Sequence, residues 1–171
     1  MDYIKKCASI IQKICSAHPD PGKKMVQKLM YLIERKGVEV GLNYKIHFFG
    51  PYSEKLDNAL HFLESEDMIE IDADHGMTHV IKFCGTDEEL DNALTATEQD
   101  IVDNVLSVFG KKTALELEAL TTLDYAATAL LRSAADDKKI IEQVKQIKGS
   151  KFSESELNKE LGILKKYQYL N

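Results

Sequence analysis

The feature that most constrains this chain is a break, Gly50-Pro51, set between an alternating aromatic run and a leucine-spaced run. Proline has no N–H for a β-ladder and locks its own φ, so a strand reading YKIHFF is expected to end there. Before the break, Tyr44, Ile46 and Phe48 alternate with Lys45, His47 and Phe49, which predicts a short strand with one apolar face. After it, Ser53 stands at an N-cap position, and Glu54 lies where the helix dipole favours an acid. Leu56, Ala59, Leu60 and Leu63 then recur at helical spacing, with Lys55, Asp57, Asn58, His61 and Glu64 opposite them. Met68, Ile69 and Ile71 predict a return strand, and Val80, Ile81 and Phe83 its partner. Asp72 to Gly76 is turn chemistry between them, with Gly76 free to take positive φ. Strand, break, helix and hairpin form the second half of a winged-helix unit with a small three-stranded element. That scaffold binds far more often than it catalyses.

The flanking segments extend this reading in both directions. Asp2 to Ala17 predicts a helix burying Ile4, Cys7, Ala8, Ile11, Ile14 and Cys15, and His18–Gly22, with two prolines and a glycine, breaks it. A second helix is expected over Lys23 to Lys36, with Val26, Leu29, Met30 and Ile33 inward. The acidic Gly85–Leu90 stretch reads as a connector, after which Thr97 caps a helix carrying Ile101, Val105, Leu106 and Val108. Leu115, Leu117, Leu120 and Leu123 mark a further helix, Ala126 to Leu131 a second, and Ile140, Ile141, Val144 and Ile147 a third. Gly149-Ser150 stops that one, and Phe152-Ser153 opens the last, with Leu157, Leu161 and Leu164.

The expected fold is therefore mainly α, of the α+β class. A winged-helix-like unit with a small antiparallel sheet spans 1–95, and a helical, helix-turn-helix-like unit spans 96–171. Leu56, Leu60, Leu63 and Ile69 map onto Leu157, Leu161, Leu164 and Leu170 at a constant offset of 101 residues, so the second unit reads as a diverged repeat. Any amphipathic helix spaces its leucines in this way, and that plainer alternative stays open.

Composition narrows the partners. With 171 residues, 44% of them hydrophobic, the chain can bury a real core. No apolar run approaches the ~20 residues a bilayer span requires. Lys6, Gln12 and Lys13 interrupt the apolar positions of the N-terminus, which lacks a signal-peptide pattern. A cytoplasmic protein with no membrane association is expected. Cys7, Cys15 and Cys84 form no CxxC pair, which argues against a disulfide framework or a zinc finger. Net charge is −6 but uneven: residues 66–110 sum to −11, and residues 138–151 to +4. Non-specific nucleic-acid affinity comes from neutralising phosphates, so an acidic chain needs a local basic surface to bind DNA. Lys138, Lys139, Lys145, Lys148 and Lys151 are the candidates for one, against the plain reading of a solvated helix face.

Candidate site residues follow from the same pattern. Tyr52, after Gly50-Pro51, offers an apolar ring and a hydroxyl for a partner, although a strand-to-helix corner explains it equally. Lys55, Asn58 and His61, with Ser65 beyond, occupy the face a recognition helix uses, but Glu54, Asp57 and Glu64 there would repel phosphates. Asp72, Asp74, His75 and His79 are ligand-type residues whose spacing crosses a turn rather than one helix face, so no metal is expected. GxSxG, Walker and HExxH motifs are absent, and Cys84 reads as a strand-end cysteine. No enzymatic activity and no cofactor are expected.

KLMYLIERKG (Lys28–Gly37) followed by FFGPYSEKLDNALHFLESEDMIEI (Phe48–Ile71) resembles the uncharacterised YwgA-like proteins of bacteria and archaea. More distantly it is similar to the Panacea, or SocA-like, antitoxin superfamily. The likeness runs through Lys28, Leu29, Tyr31, Leu32, Gly50, Pro51, Tyr52, Leu56, Leu60 and Leu63, and leaves the C-terminal half unmatched. It implies a non-enzymatic regulatory module, antitoxin- or adaptor-like, that binds a protein partner. A winged-helix transcriptional regulator binding duplex DNA is the alternative. Amphipathic helices without an intrachain partner pair between copies, so a homodimer is a further expectation.

Overall fold

The computed structural model describes residues 2–76, 78–132 and 136–171. Helix α1 (Asp2–Ala17) is followed by α2 (Lys23–Arg35), then by a hairpin of β1 (Lys45–His47) and β2 (Gly50–Tyr52). Next come α3 (Glu54–Ser65) and a second hairpin, β3 (Ile69–His75) with β4 (Thr78–Phe83). The remainder is helical: α4 (Ala96–Phe109), α5 (Ala114–Tyr125), α6 (Asp137–Lys148) and α7 (Glu154–Lys166). The chain is mainly α, with two small two-stranded antiparallel sheets, an α+β protein.

The first half has the expected helices and closing hairpin, with its strands distributed differently from the sequence expectation. The 44–49 segment does not join the β3–β4 hairpin. It folds back on Gly50-Pro51-Tyr52 instead, pairing Lys45 with Tyr52, Ile46 with Pro51 and His47 with Gly50. Pro51 thus sits in a two-stranded edge ladder, a position that tolerates its missing N–H. The period-two pattern of 44–49 also misled about depth, because Phe48 at the tip is 88% exposed. In place of a third strand, the break between α1 and α2 makes a single bridge to β4. Ile81 N–H donates to Pro21 O at 2.8 Å, and Gly22 bridges Val80. The order is therefore helix, bridging segment, helix, helix, hairpin, with β1–β2 inserted ahead of α3.

Local chemistry explains most helix ends. Ser53 Oγ accepts from Leu56 N–H at 3.0 Å and starts α3. The cap of α4 is Thr95 rather than Thr97. Thr95 and Glu98 form a reciprocal capping box, as do Thr113 with Glu116 on α5 and Ser153 with Glu156 on α7. The expected helix over Ala126–Leu131 is a π-helical continuation of α5 through Leu130. Leu115, in the first turn of α5, points outward and is 54% exposed.

One apolar cluster runs from Cys7 on α1 to Tyr169 beyond α7 and crosses residue 95 without a gap. Leu56, Ala59, Leu60 and Leu63 are buried as their spacing requires, and α3 packs on α1 and β3. Leu157, Leu161 and Leu164 are buried in the same manner on α7, which packs on α5. Two helices are covered all round: α2 over Met25–Ile33 and α5 over Leu117–Asp124. They pack on each other, and both carry polar residues there. Buried polar groups require partners, and these decide the geometry of the site.

Candidate functional site

The polar stripe of α2 fastens the inserted hairpin. Gln27 accepts from Ser53 N–H through Oε1 at 2.8 Å, and its Nε2 donates to Ser53 O at 2.9 Å. Lys28 Nζ donates to Pro51 O at 2.9 Å, and Ser53 Oγ donates to Leu42 O at 2.6 Å. Glu34 accepts from Val40 and Leu42 N–H, which holds the loop leading into β1. The Lys28–Gly37 and Gly50–Ser53 segments are thus two halves of one clamp. In Lys28 the charged end is used structurally as well as the stem.

Gly50 makes the close approach possible. Its φ is +95°, in the left-handed region, and a Cβ there would lie 2.9 Å from Thr122 Oγ1 on α5. Only glycine meets both demands without a shift. The hairpin consequently lies flat on α2 and α5 while its tip projects. Lys148, at the end of α6, donates to Phe48 O and fastens the tip from the other side. Phe49 is gripped by cations, with Lys24 Nζ 3.3 Å and Lys151 Nζ 5.1 Å from its ring centre.

A groove of about 580 Å3 opens beside this tip, lined among others by Lys23, Lys24, His47, Phe48, Tyr52 and His79. The His47 and Tyr52 rings meet at a tilt of 36°, with 4.8 Å between centres. Asp57 pairs with Lys23 at 2.9 Å and faces His61 at 3.5 Å. Burial works against the Asp57 carboxylate, but hydrogen bonds and charge from Lys23, with Tyr52 and His61, more than offset it and lower its pKa.

A smaller cavity of about 220 Å3 adjoins Phe49 and is lined by Lys24, Lys28, Ala114, Leu115, Glu118 and Lys151. The Glu118 carboxylate pairs with Lys151 at 2.8 Å and Lys148 at 3.3 Å. Lys28 is 2% exposed, and burial lowers its pKa to about 8; Glu118 pulls it up, while Lys148, Lys24 and Lys151 add to the lowering. Burial likewise lowers Lys148 against the pull of Glu118. Two ammonium groups, Lys148 and Lys151, therefore share the Glu118 carboxylate, with buried Lys28 close by and Lys24 at the exposed rim.

The expected site residues part company in space. Tyr52 lines the large groove, while Asn58 and His61 stand exposed on the outer face of α3. Lys55 turns toward the opposite side, where its Nζ reaches Gly41 O at 3.2 Å and lies over the Tyr3 ring. The basic segment also divides. Lys138 and Lys139 are exposed, Lys145 pairs with Glu154 at 2.9 Å, and Lys148 and Lys151 join Glu118 at the hairpin. His79 lines the large groove, and the side chains of Asp74 and His75 lie outside the described residues. Cys84 is exposed at the end of β4. Among the described residues, no three His, Cys, Asp or Glu side chains are placed to hold a metal ion. Nor is any described helix long and apolar enough to cross a membrane.

Phe48, Phe49, Lys24 and Glu118 were missed by sequence reasoning. Phe48 and Phe49 were counted within a strand, and Glu118 lies on an element whose pairing with the hairpin is tertiary. Comparison with family models and with curated proteins finds no match.

Proposed function

We propose that this protein is a non-enzymatic regulatory module that binds a protein partner, in the antitoxin- or adaptor-like manner its YwgA-like and Panacea-like segments imply. The observation that carries this reading is Phe48, 88% exposed at the tip of a hairpin whose backbone is clamped from α2 and α6. A large aromatic ring facing water costs solvation and adds nothing to the core. Aromatic residues on a fixed scaffold are the usual anchors of interfaces, because little freedom is lost on binding. Phe49, Tyr52 and the groove between them extend the same face, and Asn58 and His61 lie beyond it on α3. Tagged wild-type chain and Phe48→Ser, expressed side by side in the source cell, test this. A stable hetero-complex retained by the wild type and lost by the variant is expected; equal recovery by both counts against the reading.

The winged order favours a second reading, a regulator that binds duplex DNA through α3, with Lys138 and Lys139 adding basic charge at a distance. Glu54, Asp57 and Glu64 on α3 oppose it. A complex with promoter fragments at ~50 mM salt, weakening with a slope near 0.9 per neutralised phosphate, would support DNA binding; no retardation removes it.

A further inference from the structure

Around Phe49, charge and apolar surface occur together in a way the hairpin clamp does not require. Lys28 and Lys148 hold backbone carbonyls of the hairpin. Lys24 and Lys151 add two further cations over the same ring, yet Glu118 is the single acid lining the small cavity. Cations in such excess, two of them with buried side chains (Lys28 and Lys148), repel one another and favour the entry of a compact anion. Leu115, 54% exposed, lines the same cavity, and Phe48 stands over the adjoining groove.

We infer that this cavity is an acidic-peptide site. An Asp or Glu carboxylate of the partner enters among Lys24, Lys28 and Lys151, and an apolar neighbour in the same segment packs on Phe48. The inference rests on the partner-binding reading and names the chemistry of the partner. Charge complementarity selects an acidic segment. The grouping of the cations around one small cavity, with Lys28 buried at its base, selects a side-chain carboxylate over a nucleic-acid backbone, which needs a run of solvent-facing cations along its path. The apolar surface beside the lysines selects a peptide over a free anion.

The test uses the full chain and a fluorescein-labelled twelve-residue peptide built from repeats of Glu-Asp-Leu-Phe. A Lys-Arg-Leu-Phe peptide and an oligo-dT of equal length serve as comparisons, with binding read by anisotropy at ~50 mM salt. The acidic peptide is expected to bind, and the basic one is not. Lys24→Glu and Phe48→Ser, both at exposed positions, are each expected to weaken it at least tenfold while circular dichroism stays unchanged. Failure of the acidic peptide to bind, equal affinity in Lys24→Glu, or tighter binding of oligo-dT at the same site would overturn the inference. The two readings remain separable. A cellular complex that survives Lys24→Glu but is lost in Phe48→Ser keeps the partner-binding module and removes its acidic-peptide specificity.

Discussion

Arg35 grips both carboxylate oxygens of Asp124, 89 residues away in sequence, at 2.6 Å and 3.1 Å. The same carboxylate accepts the Tyr31 hydroxyl at 2.6 Å, and Arg35 also donates to Tyr169 O at 3.0 Å. The buried acid therefore ties α2 to α5, and Arg35 carries the link on to the segment beyond α7. Burial and the neighbouring Asp124 charge push the Tyr31 hydroxyl far above its ordinary range, so it stays a neutral donor.

Arg35→Met is expected to cost about 3–5 kcal/mol, the usual penalty for leaving a buried charge without its partner. Asp124→Asn should cost less, because it keeps an acceptor for Tyr31 and leaves a partly exposed guanidinium that water can reach. Urea titration of both variants measures the difference. An Arg35→Met loss below about 1 kcal/mol would show that the pair does not hold the helices together.

Gly50→Ala should destabilise by about 1–3 kcal/mol, from backbone strain at φ +95° and a Cβ pressed on Thr122 Oγ1. Thr122→Ala removes that oxygen, which has no hydrogen-bond partner among the described residues. The double variant is therefore expected to be less destabilised than the two single losses added together. Simple additivity in a double-mutant cycle would place the Gly50 effect in the backbone alone.

Lys28 makes stability depend on alkaline pH. Its folded pKa, about 8, lies below the unfolded value of 10.5, so between them the unfolded chain binds the extra proton. Stability contributed by this group must rise as pH climbs through that window, by up to about 1.4 kcal/mol per pH unit. Below about 8 both states are charged and the slope vanishes. Lys28→Met should flatten the rise between pH 8 and 10 in denaturation curves taken across that range. An unchanged slope would mean that Lys28 keeps its proton when folded.

Strong periodicity and caps made much of this fold legible in the sequence. The buried ridge of α3, the apolar positions of α1 and the Ser153 start of α7 follow from spacing and capping chemistry alone. The Thr95–Glu98 box was also present in the sequence, but Thr97 stands three residues before Asp100 and competes for the same role. The β1–β2 hairpin was hidden because its tip is Phe48-Phe49, with the needed glycine placed after the turn. Pro21-Gly22 reads as a helix breaker, and only the presence of β4 gives it a bridge partner. The site was the least legible part. Gln27, Lys28, Tyr31 and Arg35 are visible as a polar stripe on an apolar helix, but Glu118 and Asp124 reach it through packing that spacing does not encode.

The most direct test of the binding face places a photo-cross-linking benzoylphenylalanine at position 48, with a second variant carrying it at Ser107 on the exposed side of α4. Irradiation of the source cell is expected to attach one discrete protein to position 48 and not to position 107. A partner captured from position 107 alone, or equally from both, would contradict the assignment of the hairpin tip as the contact surface.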